Sequence, residues 1–302
     1  MLTNDLFFYS GKSKISGILN LPDKPSRKNP CVIFMHGYAS NKNEFGGFDK
    51  LAELFCKNMI SVFRFDFRGC GNSTDINKKG EMLCVSEWTF DACNAFESIN
   101  RSKLIDTKNI ALLGVSMGGA TVLSALKYLR RVRAAAVLSP VDRGLSWLKN
   151  LWLENKSLQD WKNFLKTVLE KNGGKLSSNV DEFINIDDLL AFNINDKNMW
   201  KGLLNNFSYV CDKASYSSAY EIIRYLNSSR EIKIFKNTPI LFVHGDNDSA
   251  VPFTGTQELY EKYNGEKELM ILKNKSHAIL LEEDSNIHME NIVNWFKKYL
   301  FK

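Results

Sequence analysis

The chain has 302 residues, 44% hydrophobic and 25% charged, with a formal net charge of +6. That is the composition of an ordinary soluble globular protein, long enough to bury a full core in one large domain or two medium ones. Its six cysteines form no C-x-x-C pairs and no metal-ligand spacing with the four histidines, and no stretch has the apolar length to cross a bilayer. No basic segment followed by a long apolar run opens the chain, so the expected setting is a reducing cytoplasm with free thiols.

Leu6-Phe7-Phe8-Tyr9 and Ile15-Ser16-Gly17-Ile18-Leu19 flank Gly11-Lys12 and predict an opening antiparallel pair. Cys31-Val32-Ile33-Phe34-Met35 is a short, fully apolar strand. Apolar residues at helical spacing over 48–58 lead into a strand at Ile60-Ser61-Val62-Phe63-Arg64-Phe65. Residues 88–100 predict a helix, Ile110-Ala111-Leu112-Leu113 a strand, the stretch after Ser116 a helix, and Ala134-Ala135-Ala136-Val137-Leu138 another strand. The densest basic patch, Lys127 with Arg130, Arg131 and Arg133, falls where the helix after Ser116 should end. Cations there complement the helix dipole, so no nucleic-acid partner is expected.

From 141 to 230 the rhythm changes to a helical one. Ser157 can cap a helix with Asp160 three residues on, Leu158, Trp161, Leu165, Val168 and Leu169 share one face, and Gly173-Gly174 stops it. Further short helices are predicted at 187–192, 199–207 and 219–226. The strand–helix alternation then returns with Pro239-Ile240-Leu241-Phe242-Val243, a helix over 254–263, a strand at Leu269-Met270-Ile271-Leu272 and a last helix over 287–299. Such alternation predicts an α/β fold with a mostly parallel, doubly wound sheet whose sites lie beyond the carboxyl ends of its strands. The expected organisation is a core in two parts, 1–140 and 231–302, with 141–230 as an inserted helical cap or lid.

Gly114-Val115-Ser116-Met117-Gly118 joins the strand before it to the helix after it. A G-x-S-x-G turn between strand and helix is a nucleophile elbow, so sharp that Gly114 and Gly118 must be nearly side-chain-free. Ser116 then stands at the carboxyl end of the sheet. Acyl transfer also needs two backbone N–H groups aimed at the developing oxyanion. Tyr38, in His36-Gly37-Tyr38 after the third strand, and Met117 are the expected donors, with His36 tying its loop down rather than titrating. In His244-Gly245-Asp246-Asn247-Asp248, Asp248 is preferred as the carboxylate that orients an imidazole, leaving Asp246 as a turn residue. His277, after the next strand, is preferred as the base over His288, which lies in the last helical pattern.

The order Ser116, Asp248, His277 and the segments around it resemble the α/β-hydrolases. Within them the chain is similar to the serine esterase and lipase group of cinnamoyl (feruloyl) esterases and monoglyceride lipases. The matching pieces are His36-Gly37-Tyr38 through Asn41, the Phe65–Ser73 segment, the elbow, His244 through Pro252, and Lys275-Ser276-His277. Ser276 stands where a glycine is often found, and Tyr38 where phenylalanine is more usual. The resemblance implies a serine hydrolase acting on carboxylic esters of small molecules, with no metal and no organic cofactor. Thioesterase, acyltransferase and serine peptidase activities share the triad and stay open, as does a non-catalytic binding protein on the same scaffold. Four tryptophans of the cap, Trp147, Trp152, Trp161 and Trp200, either line a pocket for a hydrophobic acyl or alcohol group or form the cap's own core. Membrane contact through the lid is a further possibility that nothing in the sequence requires.

Overall fold

The structure is a computed structural model and describes residues 1–24, 28–73, 85–172, 182–207 and 210–301. Strands β1 (Leu2–Ser10) and β2 (Ser13–Leu21) form the opening antiparallel hairpin. They are followed by β3 (Asn29–Met35), α1 (Gly47–Lys57), β4 (Ser61–Phe65), α2 (Val85–Asn100), β5 (Ile105–Val115), α3 (Met117–Ala125) and β6 (Ala135–Leu138). The chain then runs through α4 (Gly144–Asn155), α5 (Leu158–Asn172), β7 (Phe183–Asn185), α6 (Ile186–Leu189), α7 (Ile194–Asn206), β8 (Lys213–Ser215), α8 (Tyr216–Tyr225) and α9 (Ser228–Glu231). It closes with β9 (Ile240–Gly245), α10 (Phe253–Lys262), β10 (Lys267–Leu272) and α11 (Ser285–Leu300).

Eight strands form one sheet in the order β1-β2-β4-β3-β5-β6-β9-β10. β2 meets β4 antiparallel, and every neighbour from β4 to β10 is parallel. The central strands are apolar throughout because both faces are covered. Side chains alternate in direction along a strand. Ile33, Leu112, Val137 and Phe242 therefore pack under α2 and α3 with Trp88 and Ala120. Phe34, Leu113, Leu138 and Val243 face the other way, onto Phe48 and Phe55 of α1 and Phe296 of α11.

Three differences from the sequence expectation have local causes. α3 ends at Ala125, so the basic patch lies past its last turn; there Lys127 pairs with Glu231, and Arg133 Nε donates to Tyr299 O at 2.8 Å. β7 and β8 form a small antiparallel ladder inside 141–230, where only helices were expected. Three residues per strand are too few for an alternating pattern to show. Along α5, Leu158 and Leu169 sit at the margins of the predicted face and are exposed, while Trp161 and Val168 are buried. The Ser157–Asp160 cap forms reciprocally: Asp160 N–H donates to Ser157 Oγ at 3.1 Å, and Ser157 N–H to Asp160 Oδ2 at 3.0 Å. The predicted stop at Gly173-Gly174 lies outside the described residues, as does Cys84.

Candidate active site

β5 delivers Ser116 into α3 with a backbone φ of 54° and ψ of −118°. An L-residue adopts positive φ only when its surroundings over-determine it. Here the flanks do so: a Cβ on Gly114 would lie 2.3 Å from Gly118 O, and one on Gly118 would lie 2.2 Å from Met35 O. The turn is thus packed directly against its own exit and against the end of β3. Met117 N–H lies at the start of α3, in the first turn where backbone donors lack intrahelical acceptors.

The loop after β3 is held peptide by peptide. His36 is buried; its Nε2 accepts from Phe67 N–H at 3.1 Å, so Nδ1 carries the proton and donates to Gly37 O at 2.8 Å. Burial lowers its pKa to about 4, against the neighbouring charge of Asp66, and the ring is neutral. In a trans peptide the C=O and the following N–H point in opposite directions. Fixing Gly37 C=O therefore aims Tyr38 N–H. Gly37 N–H donates to Glu44 Oε2 at 2.7 Å. Behind this loop, Asp66 accepts Lys42 N–H at 2.7 Å, Lys42 Nζ at 2.6 Å and Asn72 N–H at 2.8 Å, tying the β3 and β4 loops together.

On the other side, His277 Nδ1 donates to Asp248 Oδ2 at 2.7 Å. Asp248 Oδ1 accepts Ala250 N–H at 2.9 Å and Val251 N–H at 2.8 Å. His244, fully buried on β9, lies with Nε2 3.1 Å from Asp248 Oδ2 and 2.9 Å from Val251 O, while its Nδ1 meets Thr256 Oγ1 at 2.7 Å. Two oxygen acceptors at Nε2 assign the proton there. Burial pushes the Asp248 carboxyl up, but the charge of His277 and the bonds from His244, His277 and Val251 N–H outweigh it and hold the group well below the usual carboxylate range. Burial also opposes the His277 imidazolium, yet Asp248, with help from Glu44, raises its pKa above the ordinary value. The His277 side chain remains 29% exposed.

Asp248 and His277 are thus in direct contact, and Ser116 reaches the same carboxyl edge of the sheet from β5. No direct hydrogen bond joins Ser116 Oγ to His277. Asp246 turns away to pair with Lys273 at 3.1 Å and to accept Asn274 N–H at 2.6 Å. His288 lies on α11.

Residues from 141–230 contact the loops of the site. Tyr38 Oη and Ser218 Oγ are 3.1 Å apart, and Cys211 N–H donates to Ala39 O at 2.9 Å. Trp147 lies 6.3 Å from the Tyr38 ring and donates from Nε1 to Ala250 O at 2.8 Å. Trp200 packs on Phe45, whereas Trp152 stacks on Phe164 at 4.4 Å and neighbours Trp161 at 6.1 Å. Glu44 and His244 are the site groups that motif reasoning did not select. The Asn-Lys-Asn-Glu run around Glu44 is polar and gives no sign of burial, and His244 sits on a strand end that marks only the start of the Asp248 loop.

The family described as serine aminopeptidase, S33, matches residues 26–284. The chain belongs to that family. A Mycoplasma pneumoniae protein named "Putative esterase/lipase 2" is 27% identical over 249 residues, covering 80% of each chain. The α/β-hydrolase GrgF from Penicillium superposes on this S33 chain with a TM-score of 0.81 at 19% identity, over 100% of both. Est1E from Butyrivibrio proteoclasticus, solved with ferulic acid bound, has a TM-score of 0.70 at 16% identity and covers 98% of this chain and 100% of its own. The α/β-hydrolase fold and the esterase and lipase group expected from the motifs are borne out. Among the described residues, no cluster of histidine, cysteine, aspartate and glutamate could hold a metal ion, and no helix is long and apolar enough to cross a membrane.

Proposed function

We propose that this hydrolase cleaves carboxylic esters by two-step acyl transfer. Ser116 Oγ attacks the carbonyl carbon as His277 Nε2 takes its proton, and Asp248 holds the imidazole with Nδ1–H inward and stabilises its cation. Tyr38 and Met117 N–H groups receive the oxyanion. Collapse breaks the ester C–O bond, and the alcohol leaves with the proton from His277. Water then adds to the acyl-enzyme with the same histidine as base, releasing the acid and restoring Ser116. The observation that carries this reading is the 2.7 Å Asp248–His277 bond beside a serine held at positive φ.

Residues 141–230 serve in this reading as a cap or lid between core parts 1–140 and 231–302. Trp147 is assigned in this reading to meet the acyl group, a role that its contact with Tyr38 supports, and its ring favours a hydrophobic one. Ser116→Ala should lower kcat on p-nitrophenyl butyrate by roughly 10⁴- to 10⁶-fold. Full turnover in that variant would refute the mechanism. p-Nitrophenyl esters of rising chain length, a matched thioester and an aminoacyl anilide, assayed side by side, separate esterase from thioesterase and peptidase. Fastest cleavage is expected for an ester longer than acetate.

A further inference from the structure

Glu44 lies in the site, and the acyl-transfer mechanism gives it no task. Its carboxylate is buried at 9% exposure, and among the described residues no lysine or arginine pairs with it. Glu44, Phe45 and Gly46 run consecutively at φ of 44°, 53° and 88°. Two non-glycine residues in the left-handed region are unfavourable, as is a buried carboxylate without a cation. Both kinds of cost meet at Glu44, and such concentrations mark functional sites. The left-handed turn carries Phe45 toward Trp200 and Phe207 while Glu44 reaches back to Gly37.

The space around that carboxylate is well defined. A Cβ placed on Gly37 would lie 3.2 Å from Glu44 Oε1 and 3.4 Å from Ser116 Cβ, so carboxylate and nucleophile flank the same glycine. From the loop after β3, Gly37 N–H donates to Glu44; from the loop after β10, the charge of His277, held by Asp248, acts on it. His36, on the other side of Gly37, is neutral, and Lys42 is turned away onto Asp66.

We infer that Glu44 is a positioning residue of this site: its carboxylate fixes the first peptide of the oxyanion loop through Gly37 N–H, and its charge stabilises the imidazolium that forms on His277. The inference rests on the acyl-transfer reading and deepens it. Burial pushes the Glu44 carboxyl up to about 7, against the hydrogen bond from Gly37, so it changes charge near neutral pH. The two groups attract when ionised, so protonating Glu44 lowers the affinity of His277 for its proton.

The test is the pH profile of kcat/KM for p-nitrophenyl butyrate between pH 5 and 9, with Ser116→Ala as the blank. Glu44→Gln keeps an acceptor for Gly37 N–H and removes the charge; its acid limb should move to lower pH by about one unit. Glu44→Asp keeps a charge and should hold the limb at the wild-type position. The wild type supplies a readout that needs no variant: its acid limb should be broader than a one-proton curve, because His277 loses its stabilising neighbour as Glu44 protonates. Coincident wild-type and Glu44→Gln limbs, or a one-proton wild-type limb, with turnover still dependent on Ser116, would overturn the role of Glu44 alone. Turnover independent of Ser116 would overturn the acyl-transfer reading and this inference with it.

Discussion

Asp248→Asn is the substitution whose outcome the geometry decides most sharply. The native carboxylate accepts on both oxygens: Oδ1 from two backbone N–H groups, and Oδ2 from His277, with His244 Nε2 3.1 Å away. Asparagine has one acceptor and one donor end and must choose. Turning its amide nitrogen toward the loop would set it against Ala250 and Val251 N–H, and each buried unpaired donor costs about 1–3 kcal/mol. Turning it toward the imidazoles strands fewer groups, because His244 keeps Val251 O at 2.9 Å and His277 can escape by changing tautomer. The second orientation wins. It leaves His277 with Nδ1 as acceptor and Nε2 protonated, unable to take the Ser116 proton. The expected fall in kcat is about 10⁴-fold, or about 5 kcal/mol of transition-state stabilisation, with KM nearly unchanged. Stopped-flow hydrolysis of p-nitrophenyl butyrate measures both constants, and circular dichroism confirms that the variant is folded. A folded Asp248→Asn protein within tenfold of wild-type kcat would refute the assignment of Asp248 as the orienting carboxylate.

Other perturbations follow from the same contacts. Gly118→Ala drives a methyl group to 2.2 Å from Met35 O, so fluorophosphonate labelling of Ser116 should be lost and Tm should fall. His36→Phe strips Gly37 O of its side-chain donor and Phe67 N–H of its acceptor. It should lower kcat by roughly 10²–10³-fold, as losing an oxyanion donor does, while the pH profile above 6 keeps its shape because His36 is neutral there. Chemical denaturation should show Glu44→Gln gaining stability over the wild type as pH rises from 4.5 to 8. The folded state holds the Glu44 proton up to about 7 and the unfolded state only to 4.5, so the wild type loses up to about 3 kcal/mol across that window and the variant does not. A stability difference that stays flat with pH would contradict the burial of that charge. Asp248, depressed in the folded state, works in the opposite sense: its contribution is present above the usual carboxylate range and fades as acid protonates it.

Much of this arrangement could be read from local patterns. The apolar runs at Cys31–Met35 and Ile110–Leu113 place parallel strands because strands covered on both faces are apolar throughout. The glycines around Ser116 mark the elbow because only a residue without Cβ fits beside Gly118 O or Met35 O. What escaped depends on contacts far apart in the chain. Glu44 is buried by a left-handed turn whose sole local sign is Gly46-Gly47, and the charge that acts on it, His277, comes from the loop after β10. The tryptophans of 141–230 lie on three helices, and a helical pattern alone cannot say which neighbour each one meets. Trp147 reaches the Asp248 loop, whereas Trp152 and Trp161 turn to Phe164.

Three of the bonds that fasten 141–230 to the site loops set a rule for redesign. Cys211 N–H binds Ala39 O, Ser218 binds Tyr38 Oη, and Trp147 binds Ala250 O. Two of these anchors hold the loop carrying Tyr38 N–H, and the third holds the loop carrying Asp248. A chimera that exchanges this segment to change substrate preference would also release both loops. Under the proposed cap role, selectivity and turnover share these contacts, and a successful graft has to bring replacements for these three bonds.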